Sequence, residues 1–321
     1  MQARSFKVTN QTILLMKCKA LIFLLTLFAG KLATAQDTTD LLKGITDDQP
    51  QKEYVSSAFK SSRVIMSHSI EMLKPGVMDF RILHRFGNIN KGPSEFFGLD
   101  HANGIRLGLD YGVSKNFSIG IGRSSIEKEI DGFIKYRIIQ QATGPKSSPV
   151  SLVVALGSTI TTQKLSNFIQ INDTTAIPRK NLFSSRVGYY SQVLVGRKFS
   201  EAFSLQLMPT MVHQNLVTHR SDPNDIYAVG VGSRVKLSKR ISLNIDYYYV
   251  INQLENRGLH NPLSIGFDIE TGGHVFQLHF SNAIGMNERV FLTETTNDWG
   301  KGDVGFGFNI SRAFQIKKKR Y

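Results

Sequence analysis

The chain has 321 residues, 41 % hydrophobic and 20 % charged. Those proportions exclude a disordered chain, and after the first 40 residues no apolar run nears the roughly 18 needed for a spanning helix. The net charge is +14, and the single cysteine excludes a disulfide framework or a Cys-based zinc site.

The five basic residues Arg4, Lys7, Lys17, Lys19 and Lys31 precede any acidic one, and removing them from +14 leaves +9. That excess is spread along the chain, apart from the tail Lys317-Lys318-Lys319-Arg320. No groove-reading motif accompanies it, so nucleic acid is not an expected partner.

Residues 1–35 read as a cleaved export signal. Lys17-Cys18-Lys19 supplies a basic region, Ala20–Ala29 a short apolar run, and Ala33-Thr34-Ala35 an A-x-A cleavage site. Met1 and Met16 are both possible starts. Cys18 precedes the apolar run and leaves with the signal. Residues 36–58, polar and rich in Asp, read as a flexible periplasmic lead-in, and 59–321 as the folded body.

From about residue 60 the pattern has period two, the signature of strands with two unlike faces. Over Ile105–Tyr111, Ile105, Leu107, Leu109 and Tyr111 alternate with Arg106, Gly108 and Asp110. Over Ile241–Ile251, Ile241, Leu243, Ile245, Tyr247, Tyr249 and Ile251 alternate with Ser242, Asn244, Asp246 and Tyr248. Such runs fall at 76–86, 103–112, 117–125, 130–140, 149–160, 185–198, 202–213, 226–237, 241–251, 263–270, 274–281 and 303–314. Ser94–Leu99 suits one short helical turn, and no helix of ordinary length interrupts the series. Connections alternate between short and long, with an exception near Glu127–Glu129. Short turns at one end and long loops at the other mark a membrane barrel.

The expected fold is therefore all-β: a single antiparallel transmembrane β-barrel of about twelve strands, within a range of about ten to fourteen. Alternation does not say which face points outward, so a soluble β-sandwich or lipocalin-like barrel stays as the alternative. Twelve long strands enclose more space than aliphatic side chains fill, which favours a wet lumen and a lipid-facing apolar exterior. Tyr111, Tyr189, Tyr190, Tyr227, Tyr247 and Tyr249 suit interfacial girdles. Gly120-Ile-Gly122 and Gly305-Phe-Gly307 lie inside strands, where glycine makes room for long charged neighbours.

On the polar faces stand Asp79, Arg81, Arg85, Arg106, Asp110, Lys135, Arg137, Arg234, Lys236, Asp246, Asp268 and Glu270. They are the candidate lumen lining. One reading is an electrostatic filter for anionic or zwitterionic solutes, with weak anion preference; the other is a salt-bridge network that holds the barrel's shape. Lys60–Met72 is an extra segment before the turn Lys74-Pro75-Gly76, read either as a lumenal or periplasmic plug or as a further β-run. Ser67-His68-Ser69 raises an envelope lipid hydrolase, but adjacent side chains of an extended strand point apart, and there is no G-x-S-x-G elbow. No catalytic residue, cofactor or metal site is expected. The eight histidines have no ligand spacing; His274 and His279 lie on opposite faces, and His213 and His219 at loop edges, as solvated or girdle residues. Asn172–Thr175 and Asp222-Pro-Asn-Asp225 could bind calcium or simply form turns. Trp299 falls in a long external loop.

Several stretches carry a more specific resemblance. They are Asp40-Leu-Leu, Glu53-Tyr-Val, Ala58-Phe-Lys-Ser-Ser-Arg-Val-Ile65, His68-Ser, Asp79-Phe-Arg-Ile-Leu-His-Arg-Phe-Gly87 and Phe97-Gly-Leu-Asp100. Gly104-Ile-Arg-Leu-Gly-Leu-Asp-Tyr-Gly112, Thr293-Glu-Thr-Thr-Asn-Asp-Trp-Gly300 and Phe306-Gly-Phe-Asn-Ile-Ser-Arg-Ala-Phe314 complete the set. Together they resemble a family of bacterial membrane-bound β-barrel domains of unknown function. The resemblance implies an outer-membrane barrel and lends no catalytic residue. A terminal aromatic, Phe314 or Tyr321, would mark the last strand for barrel-assembly machinery.

The expected function is passage or binding of a small polar solute. The alternatives are a closed structural or docking barrel with a partner at its loops or N-terminal segment, and the lipid hydrolase. Outer-membrane lipid is the expected surrounding partner. Oligomeric state and solute are not legible.

Overall fold

A computed structural model describes residues 51–316, apart from 164–167, 171–174, 179, 181, 218–221 and 255–256. The expected signal and most of the lead-in, the loop 172–174, His219, the basic tail and Tyr321 lie outside the described residues.

Twelve strands form a closed antiparallel barrel. In chain order they are β1 (Val77–Asn88), β2 (Ala102–Gly112), β3 (Phe117–Ser124), β4 (Glu129–Ile139), β5 (Ser151–Thr161) and β6 (Val187–Lys198). Then come β7 (Phe203–Gln214), β8 (Asp225–Lys236), β9 (Ile241–Val250), β10 (Leu263–Thr271), β11 (His274–Ser281) and β12 (Gly305–Gln315). Each strand pairs with its sequence neighbours. Ile310 opposite Ile82 joins β12 to β1 and closes the ring, so no wall edge is left unpaired.

The alternation is resolved in the direction that lipid requires. On β2, Leu107 and Leu109 are 44 % and 43 % exposed, while Arg106 and Asp110 between them are 0 % and 2 % exposed. Ile121 and Leu156 also point out; Asp131 and Lys135 point in. Apolar-out and charged-in is the inverse of a soluble barrel and excludes that alternative.

Glycines on the inner face make the charged packing possible. A Cβ at Gly122 would stand 2.2 Å from Arg106 Nη2, and one at Gly157 would stand 2.1 Å from the Tyr190 ring. Tyr190 is thus an inward residue, buried against the wall, rather than part of a girdle. Tyr189 takes the outward position, because neighbours on a strand face opposite sides.

Two insertions occupy the interior. The first is the chain before β1. Residues 53–54 pair with 142–143 beside the β4–β5 connection, at the short-turn end. The chain then enters the barrel, turns tightly and returns to Gly76, whose N–H donates to Gly112 O at 2.8 Å. The turn is closed by Val64 N donating to Ser67 O (2.9 Å) and Ser69 N to Ser62 O (3.0 Å). This hairpin forms no ladder with any wall strand, so it is not an added strand of the barrel.

The second insertion comes from the β11–β12 connection, which reads from sequence as an external loop. It carries α1 (Glu288–Thr293), six residues, all buried. Asn287 caps the helix by accepting from Val290 N at 3.0 Å. A helix this short draws its stability from packing rather than propensity, and it packs inward, with Phe291 5.2 Å from the Tyr248 ring. The expectation of a wet lumen, too wide for aliphatic side chains to fill, is corrected here. Phe59, Val64, Ile65, Met66 and Ile70 of the hairpin join Leu194, Met208, Val212, Tyr248 and Phe291 in one buried apolar cluster.

Candidate functional site

The candidate site is the interior where hairpin, wall and helix meet. Asp246, on β9, grips the hairpin tip. Its Oδ2 accepts from Met66 N (2.8 Å) and Ser67 N (2.9 Å), and Ser67 Oγ donates to its Oδ1 at 2.9 Å. These hydrogen bonds satisfy a carboxyl group buried with no cation paired to it among the described residues. Polar wall residues continue the attachment around the ring. Gln206 on β7 accepts from Ile70 N (3.0 Å) and donates to His68 O (2.7 Å). Gln277 on β11 donates to Val64 O at 2.7 Å, and Asn309 on β12 to Ile65 O at 3.0 Å.

The charged residues on the inner face sort into pairs and plug contacts. Arg81 binds Asp79 (2.6 Å) and Asp110 (3.2 Å) and reaches Ser61 and Ser62 of the hairpin. Arg106 makes a two-pronged contact with Asp131, at 2.8 and 2.5 Å. Lys135 donates to Glu71 O at 2.6 Å, and Arg234 donates to Ser57 O and Ala58 O, both at 3.2 Å. Asp268 accepts from Gln277 at 2.8 Å. Arg85 donates to Asn309 Oδ1 and His84 O, both at 3.0 Å.

Three of the twelve candidate residues stand at the short-turn rim rather than deep inside. Arg137 is half-buried and donates to Lys115 O at 2.7 Å. Lys236 is half-buried at the end of β8. Glu270 is partly exposed and pairs with Lys60. Each lies near its strand's end, where the wall gives way to a turn.

Hairpin and helix meet at a buried ion pair. Arg63 Nη1 lies 3.2 Å from Glu288 Oε1, and both side chains are 1 % exposed. His68 Nε2 is 3.6 Å from the same oxygen and 3.1 Å from the Tyr190 hydroxyl. Burial, reinforced by Arg63, Lys135, Arg106 and Arg81, holds the His68 imidazole well below its ordinary pKa. Burial raises the Glu288 carboxyl, and Arg63 opposes that rise. At the base of α1, Arg289 binds Glu129 at 2.6 Å and also pairs with Glu127. A cavity lined by Glu127, Arg186, Gln214, Arg289 and Glu294 opens at the long-loop end. Another, lined by Lys60, Glu71, Asp79, Arg81 and Ser311, opens at the short-turn end. The packed hairpin and helix separate them.

The structure does not bring Ser67 and His68 together. The Ser67 hydroxyl serves Asp246, and the His68 ring serves Tyr190. His279 is buried on the inner face of β11 rather than solvated. Asp222 pairs with Arg257 at 2.6 Å and Asp225 with His213 at 2.6 Å, so both carboxylates of that loop already have cationic or imidazole partners. Trp299 donates its indole N–H to Leu263 O at 2.9 Å.

Some central residues escape the sequence reading. Asp131 lies on the same polar face as Lys135 and could have been found from the alternation. Arg63, Glu288 and Arg289 sit where the chain has no period, and only their tertiary contacts single them out.

With an inward-charged, outward-apolar closed barrel established, its relatives can be placed. The family described as "Membrane bound beta barrel domain (DUF5777)" matches residues 59–314. The chain belongs to this family. It is therefore a membrane-bound β-barrel. No curated protein matches it. Among solved structures, the NanC porin is 7 % identical, with 75 % of this chain and 100 % of that chain covered and a TM-score of 0.44. An outer-membrane channel from Pseudomonas putida F1 is 12 % identical over 76 % and 98 %, with a TM-score of 0.41. The outer-membrane protein Omp33 of Acinetobacter baumannii is 9 % identical over 74 % and 97 %, with a TM-score of 0.36. These are resemblances between barrels, and the roles in their names are theirs.

Proposed function

We propose that this family member is a bacterial outer-membrane barrel whose lumen is a gated passage for a small polar solute, shut by the hairpin of residues 58–71 and by α1. One observation carries the reading. The hairpin enters and leaves by the short-turn end and shares no ladder with the wall. It can withdraw without breaking a strand pairing, and water can replace the side-chain bonds that hold it. The vacated wall offers charges of both signs: Arg81, Arg85, Arg106, Lys135 and Arg234 against Asp79, Asp110, Asp131, Asp246 and Asp268. That balance suits a zwitterionic or otherwise polar solute, and it removes the basic excess on which an anion preference would rest.

The test is single-channel conductance in a planar bilayer. The intact chain should be mostly silent, with rare openings. Deleting residues 59–72, or replacing Asp246 by Ala, should raise the open fraction at least tenfold. The apolar cluster shared by hairpin and wall favours a second reading, a permanently closed scaffold that docks a partner through its loops. Silence from every variant, with folding confirmed by heat-modifiable migration, would reject the passage and leave the scaffold.

A further inference from the structure

The outer face of the wall is apolar, but among the described residues three arginines interrupt it. Arg123 on β3, Arg197 on β6 and Arg312 on β12 share the outward parity of Ile121, Val193 and Phe308. Arg123, at the long-loop end, is satisfied by its own chain: it donates to the Lys128 carbonyl and to Thr162 Oγ1. Arg197 and Arg312, at the short-turn end, have no acidic partner among the described residues. Each lies over an aromatic ring two residues closer to the rim. Arg197 Cζ is 5.2 Å from the centre of the Phe199 ring, and Arg312 Cζ is 4.8 Å from that of Phe314. An arginine on the lipid-facing end of a strand bends in this way to bring its charge to headgroup level. β6 and β12 stand half a turn apart in the ring of strands, so the two arginines lie on opposite sides of the barrel.

The surroundings select the charge of the headgroup. The turns at this end carry exposed Lys74, Lys115, Lys146, Lys239 and Arg240. Of the acids there, Glu201 and Glu270 already pair with Lys198 and Lys60. The positive excess repels the ammonium of a zwitterionic lipid and attracts a headgroup of net negative charge. On β11 and β1, His274 and Phe80 flank Arg312 in register. One row nearer the membrane centre, Phe276, Ile310 and Ile82 lie side by side across the same three strands, an apolar track for acyl chains.

We propose that Arg197 and Arg312 are two binding sites for anionic phospholipid, each guanidinium holding a headgroup phosphate in the leaflet at the short-turn end. The planar fork donates two parallel N–H bonds to phosphate oxygens. The aromatic ring beside it fixes the depth of the fork. Two such points on opposite sides of the barrel set its depth and tilt. The sites require only that the barrel sit in a membrane, so they stand or fall independently of the gated passage.

The probes are phosphatidylglycerol and phosphatidylcholine. Native mass spectrometry of the full chain, released from micelles doped with either lipid, should show two phosphatidylglycerol molecules retained and phosphatidylcholine lost. Arg197→Gln and Arg312→Gln should each retain one, with affinity at the altered site lowered about fivefold in a lipid titration. Arg312→Lys keeps the charge but not the fork and should fall between. Arg123→Gln, whose guanidinium is already engaged, should bind as the wild type does. These side chains face outward, so folding, checked by heat-modifiable migration, should survive every substitution. Equal retention of the two lipids, or no retained phosphatidylglycerol, overturns the proposal. So does phosphatidylglycerol that stays bound when both arginines are glutamine; its release by salt would then assign the attraction to the rim lysines alone.

Discussion

At the scale of single residues, the interior depends on side chains that are absent as much as on those present. Gly122 lets the Arg106 guanidinium lie flat over β3 and reach Asp131. In Gly122→Val, the added Cβ falls on that guanidinium at 2.2 Å and displaces it from Asp131. Overpacking plus a broken buried pair should destabilise the barrel by about 2–4 kcal/mol, read as a lower urea midpoint for unfolding in detergent. Asp246 is the opposite case, one side chain with several dependants. Asp246→Ala leaves the Met66 and Ser67 amides and the Ser67 hydroxyl without their acceptor. The hairpin should loosen by about 3 kcal/mol, with faster hydrogen exchange at Met66 and Ser67 and unchanged exchange in the wall strands. Equal acceleration everywhere would show that hairpin and wall unfold as one unit.

At the scale of elements, the hairpin and α1 carry opposing pH responses. His68 sits on the hairpin with its pKa held well below the ordinary 6.5. The packed hairpin therefore binds fewer protons there than a released one. Stability from this group is present above pH 6.5 and is lost as pH falls below it. Glu288 has a raised pKa, so it works the other way: packing is favoured as pH falls through its raised value. Between neutrality and about pH 5.5 the histidine should govern. Proteolysis of the hairpin should then increase on mild acidification in the wild type and hardly change in His68→Gln. A wild-type hairpin indifferent to pH across that range would show that His68 stays buried and neutral whenever the tip opens. These elements also mark the boundary of sequence reading. The turn Lys74-Pro75-Gly76 and the extra segment before β1 were legible, but that the segment folds into a hairpin between Asp246 and Gln206 was not. Both anchors come from strands far along the chain.

At the scale of the whole molecule, the outward face fixes where the barrel belongs. Leu156 is at the middle of β5 and 44 % exposed. Leu156→Arg should reduce folding stability in lipid by about 2–4 kcal/mol, the usual penalty at the bilayer midplane. The same substitution should cost little in a detergent micelle, which lets water reach the charge; an equal loss in both would mean that Leu156 does not face hydrocarbon. The twelve strands were readable because a strand between two solvents writes its environment into every second residue, as in Ile105–Tyr111 and Ile241–Ile251. Sequence alone also determined the short and long connections and the place of Arg81, Arg106 and Asp246 on the polar faces of their strands; that those faces point inward came from the closed barrel. It could not determine which inner residues meet, since strand pairing brings together positions such as Arg85 and Gly307 that are distant in the chain. Tyr190 and α1 show the same limit: one is sent inward by its parity on β6, the other drawn into the barrel by Tyr248 and Arg63. Periodicity records the solvent that each face meets; only the closed barrel decides which side chains share its interior.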